Sequence, residues 1–584
     1  MVEEGFDGLI GSGVAVGREP YRKVVKAEPH TAVYLMHKFW ARRPHNVFAE
    51  LVAHYSKPGD IVLDPFCGGG VTVVEALSLG RKVVGVDVNP LAAYVTEMEA
   101  RPLDVGRFWM GYEWVQSQVE SQMCKLYQTS CPNCGEKNAV FDWLEWEGEK
   151  PHRMRYECPK CEAGEKEAEA VDVFRSQRAS ESFENAVSEK KLWYPNATVP
   201  YGDKTEGIIK KGYTYFWQLY TKRNLLALSM LWKEICSFSG EANVKDFLKF
   251  AFSSSLKWAS KMSHLRGNVV EGWALHAYWL YPRTLEINVW NTFKRRCTAI
   301  ARGKEYSNRN IGVSVQKAES FEQLLAGDAN YLILTRSSVS LPIPDETVDF
   351  VLTDPPFGGN VNYGELADFW TVWQNEGNTI DKNEEIIINK NRMKSLNDYE
   401  EGLRKVFREC FRVLKEERNM VVTFNSRDSR VVASFIIAAA KAGFVLHPQG
   451  LLYQPPIRAY ATTFHAMQVG AFTGDFIFTF YKPSRVNRSS FSAEVDLKDF
   501  RMQIDSLTKW HVAEKTTEPE LREKAYRILI PFLSFHAESD AQARWEAVNH
   551  FEMRMKNLEP RFRKLRRHII EKRRKVFSAD KKVS

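Results

Sequence analysis

An open α/β sheet is the fold this sequence predicts, and three observations bear on it. Two apolar runs with strand character, Ile61–Leu63 and Val348–Leu352, each end in a turn that carries an acid and a proline. The first turn leads through Gly68, Gly69 and Gly70 into a helical pattern and a second strand. The stretch between the two runs follows neither pattern and carries two cysteine pairs of its own.

In chain order, the polar, glycine-containing start has no strand ahead of Gly11, Gly13 or Gly17, so residues 1–30 read as a loose arm. Residues 31–105 supply the first half of the sheet. Phe48 to Tyr55 is an amphipathic helix before a Gly59-Asp60 turn, and Ile61 to Asp64 is a strand. The loop Asp64-Pro65-Phe66-Cys67-Gly68-Gly69-Gly70 lets backbone approach a ligand closely and leaves the N–H groups of the next helix, Val71 to Leu79, open to it. Lys82 to Val86 is a second strand, ending in Asp87, where an acid can hold ribose hydroxyls. Cys67 lies in this loop without a partner base and reads as a packing residue.

Residues 106–180 hold Cys131-Pro-Asn-Cys134 and Cys158-Pro-Lys-Cys161, two CxxC knuckles separated by room for a hairpin. Four such thiolates satisfy tetrahedral zinc with no open position, so a structural Zn2+ that folds the insert is predicted. His152 is the weaker rival ligand. Residues 181–310 are aromatic, basic and helical, from Trp193 and Tyr194 through Tyr213, Tyr215, Phe216, Trp217 and Tyr220 to Trp290, Phe293 and Lys294. Most of these aromatics are expected in a core, with a minority of the charged residues meeting nucleic-acid phosphates.

The sheet resumes over residues 311–485. Tyr331 to Leu334 is a short strand followed by Ser337 and Ser338; then comes Thr353-Asp354-Pro355-Pro356-Phe357. To a planar ring bearing an exocyclic amine, Asp354 offers a carboxylate oxygen, the proline-locked backbone offers carbonyls, and Phe357 offers a flat face. Two acceptors holding both N–H hydrogens favour a nitrogen whose lone pair can attack a methyl group in line. Tyr363 to Trp373, Asp398 to Leu414 and Val432 to Ala442 are helices, Met420 to Phe424 is a strand, and Phe472 to Tyr481 closes the sheet as a hairpin strand. Residues 486–584 read as a helical extension whose basic end, Arg561, Arg563, Lys564, Arg566, Arg567 and Lys572 to Lys575, favours sequence-blind phosphate contact.

Taken together, Asp-Pro-Phe-Cys-Gly-Gly-Gly and Asp-Pro-Pro-Phe resemble motifs I and IV of the S-adenosylmethionine-dependent DNA amino-methyltransferases. Met36 to Asn46 with Lys57-Pro58-Gly59-Asp60 resembles their motif X region, and the cysteine pairs with Gly358 to Tyr363 are similar to the zinc-ribbon-containing adenine-specific DNA methylases. The resemblance implies a Rossmann-like methyltransferase sheet with an inserted zinc ribbon and helical target-recognition region. It implies S-adenosyl-L-methionine held by Phe39, Asp64, Pro65, Phe66, Gly68, Gly70, Asp87 and Asn89, with His37 and Asn46 beside Phe39 near its methionine end. It further implies catalysis at Asp354, Pro355, Pro356 and Phe357 on a base flipped out of double-stranded DNA, with adenine N6 favoured over cytosine N4 by the Asp-initiated motif. By analogy it brings a restriction or defence-system partner. The rival readings are an RNA guanine-N2 methyltransferase and a noncatalytic nucleic-acid-binding adaptor. A formal charge of +8, 44% hydrophobic residues and no long apolar run predict a cytoplasmic, multidomain chain without membrane contact.

Overall fold

The computed structural model describes residues 19–148, 150–426, 428–456, 474–484, 496–514, 518–537 and 540–580. Gly11, Gly13 and Gly17 of the expected arm, and the first residues of the strand expected from Phe472, lie outside them.

The large sheet consists of β1 (Ile61–Asp64), β2 (Lys82–Asp87), β3 (Tyr331–Thr335), β4 (Phe350–Thr353), β5 (Asn419–Phe424), β6 (Val445–Gln454) and β7 (Asp475–Tyr481). Their order is β3-β2-β1-β4-β5-β7-β6. The first five pair in parallel and β7 runs antiparallel to both its neighbours, which makes the predicted closing hairpin. Val62 pairs with Phe350 and Leu63 with Val351, so two segments far apart in the chain lie side by side. The chain leaves β1 toward β2 and β3 and returns on the other side to β4. Ligands of open α/β sheets bind outside the carboxyl ends of the strands at such a reversal.

Alternate residues along each strand face opposite layers, and the cores divide accordingly. Val62, Val83, Ile333 and Leu352 pack with α1 (His45–Tyr55), α2 (Val71–Ser78), α3 (Pro90–Ala100) and α4 (Tyr363–Gln374). Leu63, Val84, Val351 and Val422 pack with α5 (Leu396–Val413) and α6 (Ser429–Lys441). The helices Lys222–Ser237, Ala242–Ala259 and Val289–Asn310 belong to the first of these cores, through Leu225, Phe250 and Phe293. Most of the aromatics of residues 181–310 are buried or half-buried, whereas Trp193 and Tyr215, expected in the core, are exposed, as are Tyr201 and Trp279 and the aliphatic Leu275.

The C-terminal helices Leu497–Glu514, Glu518–Phe535 and Ala541–Asp580 also have a packing role, since Phe500, Leu529, Phe532 and Phe551 are buried in the second core. The side chains of Arg561, Arg563, Lys564, Arg566, Arg567 and Lys572–Lys575 lie outside the described residues. Among the described residues, no helix is long and apolar enough to cross a membrane.

Candidate active site

Adjacent pairing of β1 and β4 sets the two acid-proline turns beside one cavity. It is lined by the glycine loop, Asp64, Asp87, Asn89, Ser337, Ser338, Asp354, Pro356, Phe39, Arg43 and Tyr363, among others. The Thr353 hydroxyl donates to Asp64 Oδ1 at 2.7 Å and so ties the turns together. Burial pushes the Asp64 carboxyl up to about 7, although Thr72, Thr353 and the Phe66 N–H favour its charged form.

The glycine loop is held from below. Arg42, only 5% exposed, donates through Nε to the Gly69 carbonyl at 3.1 Å, through Nη1 to the Tyr34 and His37 carbonyls, and through Nη2 to the buried Glu99. A Cβ on Gly69 would fall 2.6 Å from Arg42 Nε. Gly70 adopts φ +78° as the N-cap of α2, and a Cβ there would meet Glu99 Oε2 at 2.9 Å. Gly70 therefore shapes the loop from beneath and, unlike Gly68 and Gly69, does not line the cavity.

Asp87 accepts from the Gly68 N–H at 3.0 Å and the Asn89 N–H at 2.8 Å, and burial pushes it up to about 6. Asn89 caps α3 through its oxygen, while its buried Nδ2 has no partner. That leaves an orphaned donor on the cavity wall, beside a carboxylate that retains acceptor capacity. Phe39 stacks on Tyr363, with ring centroids 5.7 Å apart and planes 12° apart. Pro65 and Phe66 line the cavity as well, and Ser338 Oγ donates to the Pro65 carbonyl at 2.7 Å. His37 and Asn46 do not line it. His37 stacks on Phe250 and bonds Ser253, and Asn46 pairs with the backbone of Lys26 and Glu28.

At the Asp-Pro-Pro-Phe turn, Asp354 Oδ1 accepts from Thr423 Oγ1 at 2.7 Å and Oδ2 from Arg43 Nε at 2.8 Å. Burial pushes the Asp354 carboxyl up to about 6, with Arg43 acting in the opposite direction. Arg43 also donates through Nη1 to Asp475 Oδ1 at 2.8 Å. Its guanidinium carbon lies 4.8 Å from the centroid of the Phe357 ring. Phe357 was expected to face the base, but it does not line the cavity; Arg43 covers its ring, and Phe424 meets it edge-on. Pro355 is buried behind the turn, and the Pro356 carbonyl accepts from Tyr399 OH at 2.6 Å. Sequence reasoning missed Arg42, Glu99, Thr423 and Asp475; Arg42 and Arg43 at least stand in the segment whose resemblance marked this region.

Away from the cavity, the sulfurs of Cys131, Cys134, Cys158 and Cys161 all lie within 4.8 Å of one another. Four thiolates about 2.3 Å from a tetrahedral metal stand about 3.8 Å apart, and Cys134 and Cys158 are 3.7 Å apart. His152 is not in the cluster. The first knuckle lies between the strands Gln128–Thr129 and Ala139–Glu147 and the second between Lys150–Glu157 and Gly164–Glu167; Ala139–Glu147 pairs with Lys150–Glu157 and also with Arg283–Ile287.

A family model described as DNA methylase matches residues 19–98. The chain is 22% identical over 410 residues to the type II methyltransferase M.MjaII of Methanocaldococcus jannaschii, covering 66% of this chain and 70% of that one. It is 35% identical over 83 residues to the DNA adenine methyltransferase YhdJ of Escherichia coli, 14% of this chain and 27% of that protein. It is 30% identical over 108 residues to the type II methyltransferase M.EcaI of Enterobacter cloacae, 18% and 23% of the two lengths. The last two matches thus span about a quarter of those proteins.

Proposed function

We propose that this chain, which belongs to the S-adenosylmethionine-dependent DNA amino-methyltransferases, methylates the exocyclic amine of a base flipped from duplex DNA, adenine N6 in preference to cytosine N4. The observation that carries the reading is the single cavity shared by the glycine loop after β1 and the Asp-Pro-Pro-Phe turn after β4. The donor set fits S-adenosylmethionine: carboxylate acceptors at Asp64 and Asp87, the orphaned Asn89 amide, the Gly68 and Gly69 backbone, and the Phe39 and Tyr363 rings. Bound there, it supplies an electrophilic methyl group on a sulfonium.

The chain's own part is to hold the amine. Asp354 has an acceptor site left on each oxygen after Thr423 and Arg43 are served, and it takes one N–H; a backbone carbonyl of the Asp354-Pro355-Pro356 turn takes the other. Held so, the nitrogen presents its lone pair toward the cofactor end of the cavity with no strong base required. Phe357 supports the base from behind the Arg43 guanidinium layered on it. The cysteine cluster holds a structural Zn2+ that folds the insert, and the exposed Leu275 and Trp279 lie in the helical region proposed to grip DNA. The YhdJ name supports adenine as the target.

Two outcomes test the site. Gly69→Ala forces the new Cβ against Arg42 Nε and so displaces the loop, and S-adenosylmethionine affinity by calorimetry should fall about fivefold or more, since overpacking costs ~1–3 kcal/mol. An unchanged affinity would remove the loop from the cofactor site. Because ionised Asp354 is the stronger acceptor, protonation turns one of its oxygens into a donor, and burial raises it to about 6, kcat should fall as pH drops through about 6 and be level above it. A rate independent of pH between 5 and 8 would exclude the assigned role. Transfer of labelled methyl groups to duplex DNA, with RNA in parallel, tests the reading itself: label in DNA supports it, and label in RNA alone overturns it.

A further inference from the structure

The guanidinium of Arg43 stands between two carboxylates from distant parts of the chain. It donates to Asp354 on the turn after β4 and to Asp475 at the start of β7, each at 2.8 Å. One flat side of it lies over Phe357. Arg43 itself is 15% exposed and lines the cavity. Asp475 is 16% exposed, and its neighbour Gly474 has its carbonyl bonded by Asn425 Nδ2 at 2.6 Å, which fixes the start of β7 against the end of β5. Each contact removes a freedom: Asp475 fixes where the fork stands, the Phe357 ring fixes its plane, and the Nε–H then fixes one Asp354 oxygen while Thr423 fixes the other.

We propose that Arg43 and Asp475 form a positioning device for methyl transfer, in which Asp475 holds the Arg43 fork and the fork aims the Asp354 carboxylate at the base amine. This inference rests on the function proposed above. It assigns to Arg43 the geometry of the acceptor, not contact with the transferred group. Lysine could supply the charge but neither the two-pronged donation nor the flat face.

The pair also makes a signed prediction about pH. Facing Asp354 are the cation Arg43, the carboxyls of Asp475 and Asp64, the phenols Tyr363 and Tyr399, and the Thr423 hydroxyl. Arg43 favours the ionised carboxylate and Asp475 opposes it. Removing Arg43 should therefore move the acid limb of kcat to higher pH, and removing the charge of Asp475 should leave the limb in place or lower it, although both changes slow the reaction.

The experiment measures methyl transfer to duplex DNA from pH 5 to 9 at saturating S-adenosylmethionine, for the wild type, Arg43→Met, Arg43→Lys and Asp475→Asn. Unchanged cofactor affinity and thermal midpoint certify the fold of each variant. R43M should lose kcat about tenfold or more, with its acid limb raised by about one pH unit or more. R43K should restore the limb but not the rate, and D475N should lose rate several-fold with no upward shift. An active wild type with R43M matching it in rate and limb, or R43M and D475N shifting the limb the same way, would overturn this inference alone. If R43M does not fold, D475N and R43K still decide, because a D475N enzyme with full rate overturns it. A folded wild type that methylates no DNA would overturn the function, and this inference with it.

Discussion

Asp354→Ala should reduce methyl transfer by about a thousandfold or more while leaving the binding of S-adenosylmethionine and duplex DNA within about twofold. An exocyclic amine is a poor nucleophile because its lone pair is delocalised into the ring. In the mechanism proposed above the turn counters this with preorganised acceptors, of which Asp354 alone carries charge. Its loss also strips Arg43 of one carboxylate and Thr423 of its acceptor, so a partly buried cation keeps Asp475 as its one carboxylate partner. Asp354→Asn is the companion variant, because it preserves shape and one acceptor oxygen; it should retain fold and binding and still lose most of the rate. The measurement is single-turnover transfer beside calorimetric binding. An adaptor that kept the fold without the chemistry would show no transfer in either form.

Cys158→Ser should unfold the cysteine-bearing part of the insert and carry part of the helical region with it. Structural zinc sites contribute ~10–16 kcal/mol of binding free energy in small fingers, comparable to the ~5–15 kcal/mol that stabilises a whole domain. The strand Ala139–Glu147 pairs on its other edge with Arg283–Ile287, where the buried Glu286 accepts from Thr221 at 2.6 Å and Trp146 at 3.2 Å and faces Arg223. Asn288 donates to the Phe141 carbonyl, and Asn224 to that of Ile287. Loosening the knuckles therefore reaches the start of the helix Lys222–Ser237. Metal analysis of the wild type should find about one zinc per chain, and C158S should have none, with a lower thermal midpoint and weaker DNA binding. Full stability in C158S, or a wild type without zinc, would remove the metal from the account.

The large sheet was legible because its signals are local: an apolar run, a glycine turn and an acid at Asp87 sit within one continuous segment. The pairing of β1 with β4 was legible only through resemblance, since nothing in Val62 or Phe350 names the other as a neighbour. The polar partners were not legible. Asp475 has no pattern around it and matters because β7 returns beside β5, which places it against Arg43, 432 positions earlier in the chain. Phe357 shows the limit from the other side. Its place in the turn was read correctly, but a guanidinium from a distant segment covers the ring face expected to meet the base. His37 and Asn46 were drawn toward the cofactor by motif position alone, whereas packing against Phe250 and backbone contacts decide where they sit. The C-terminal helices read as a basic appendage because their charges stand out in sequence, while Phe500, Phe532 and Phe551 complete the second core.

The measurement that tests the central claim most directly is the identity of the methylated nucleoside. Duplex DNA incubated with the purified protein and isotopically labelled S-adenosylmethionine is digested to nucleosides and resolved by mass spectrometry, with Asp354→Ala in a parallel reaction. The account predicts labelled N6-methyladenine from the wild type and none from the variant. Label on cytosine N4 would correct the base and keep the mechanism, whereas label elsewhere, or equal label from Asp354→Ala, would contradict it.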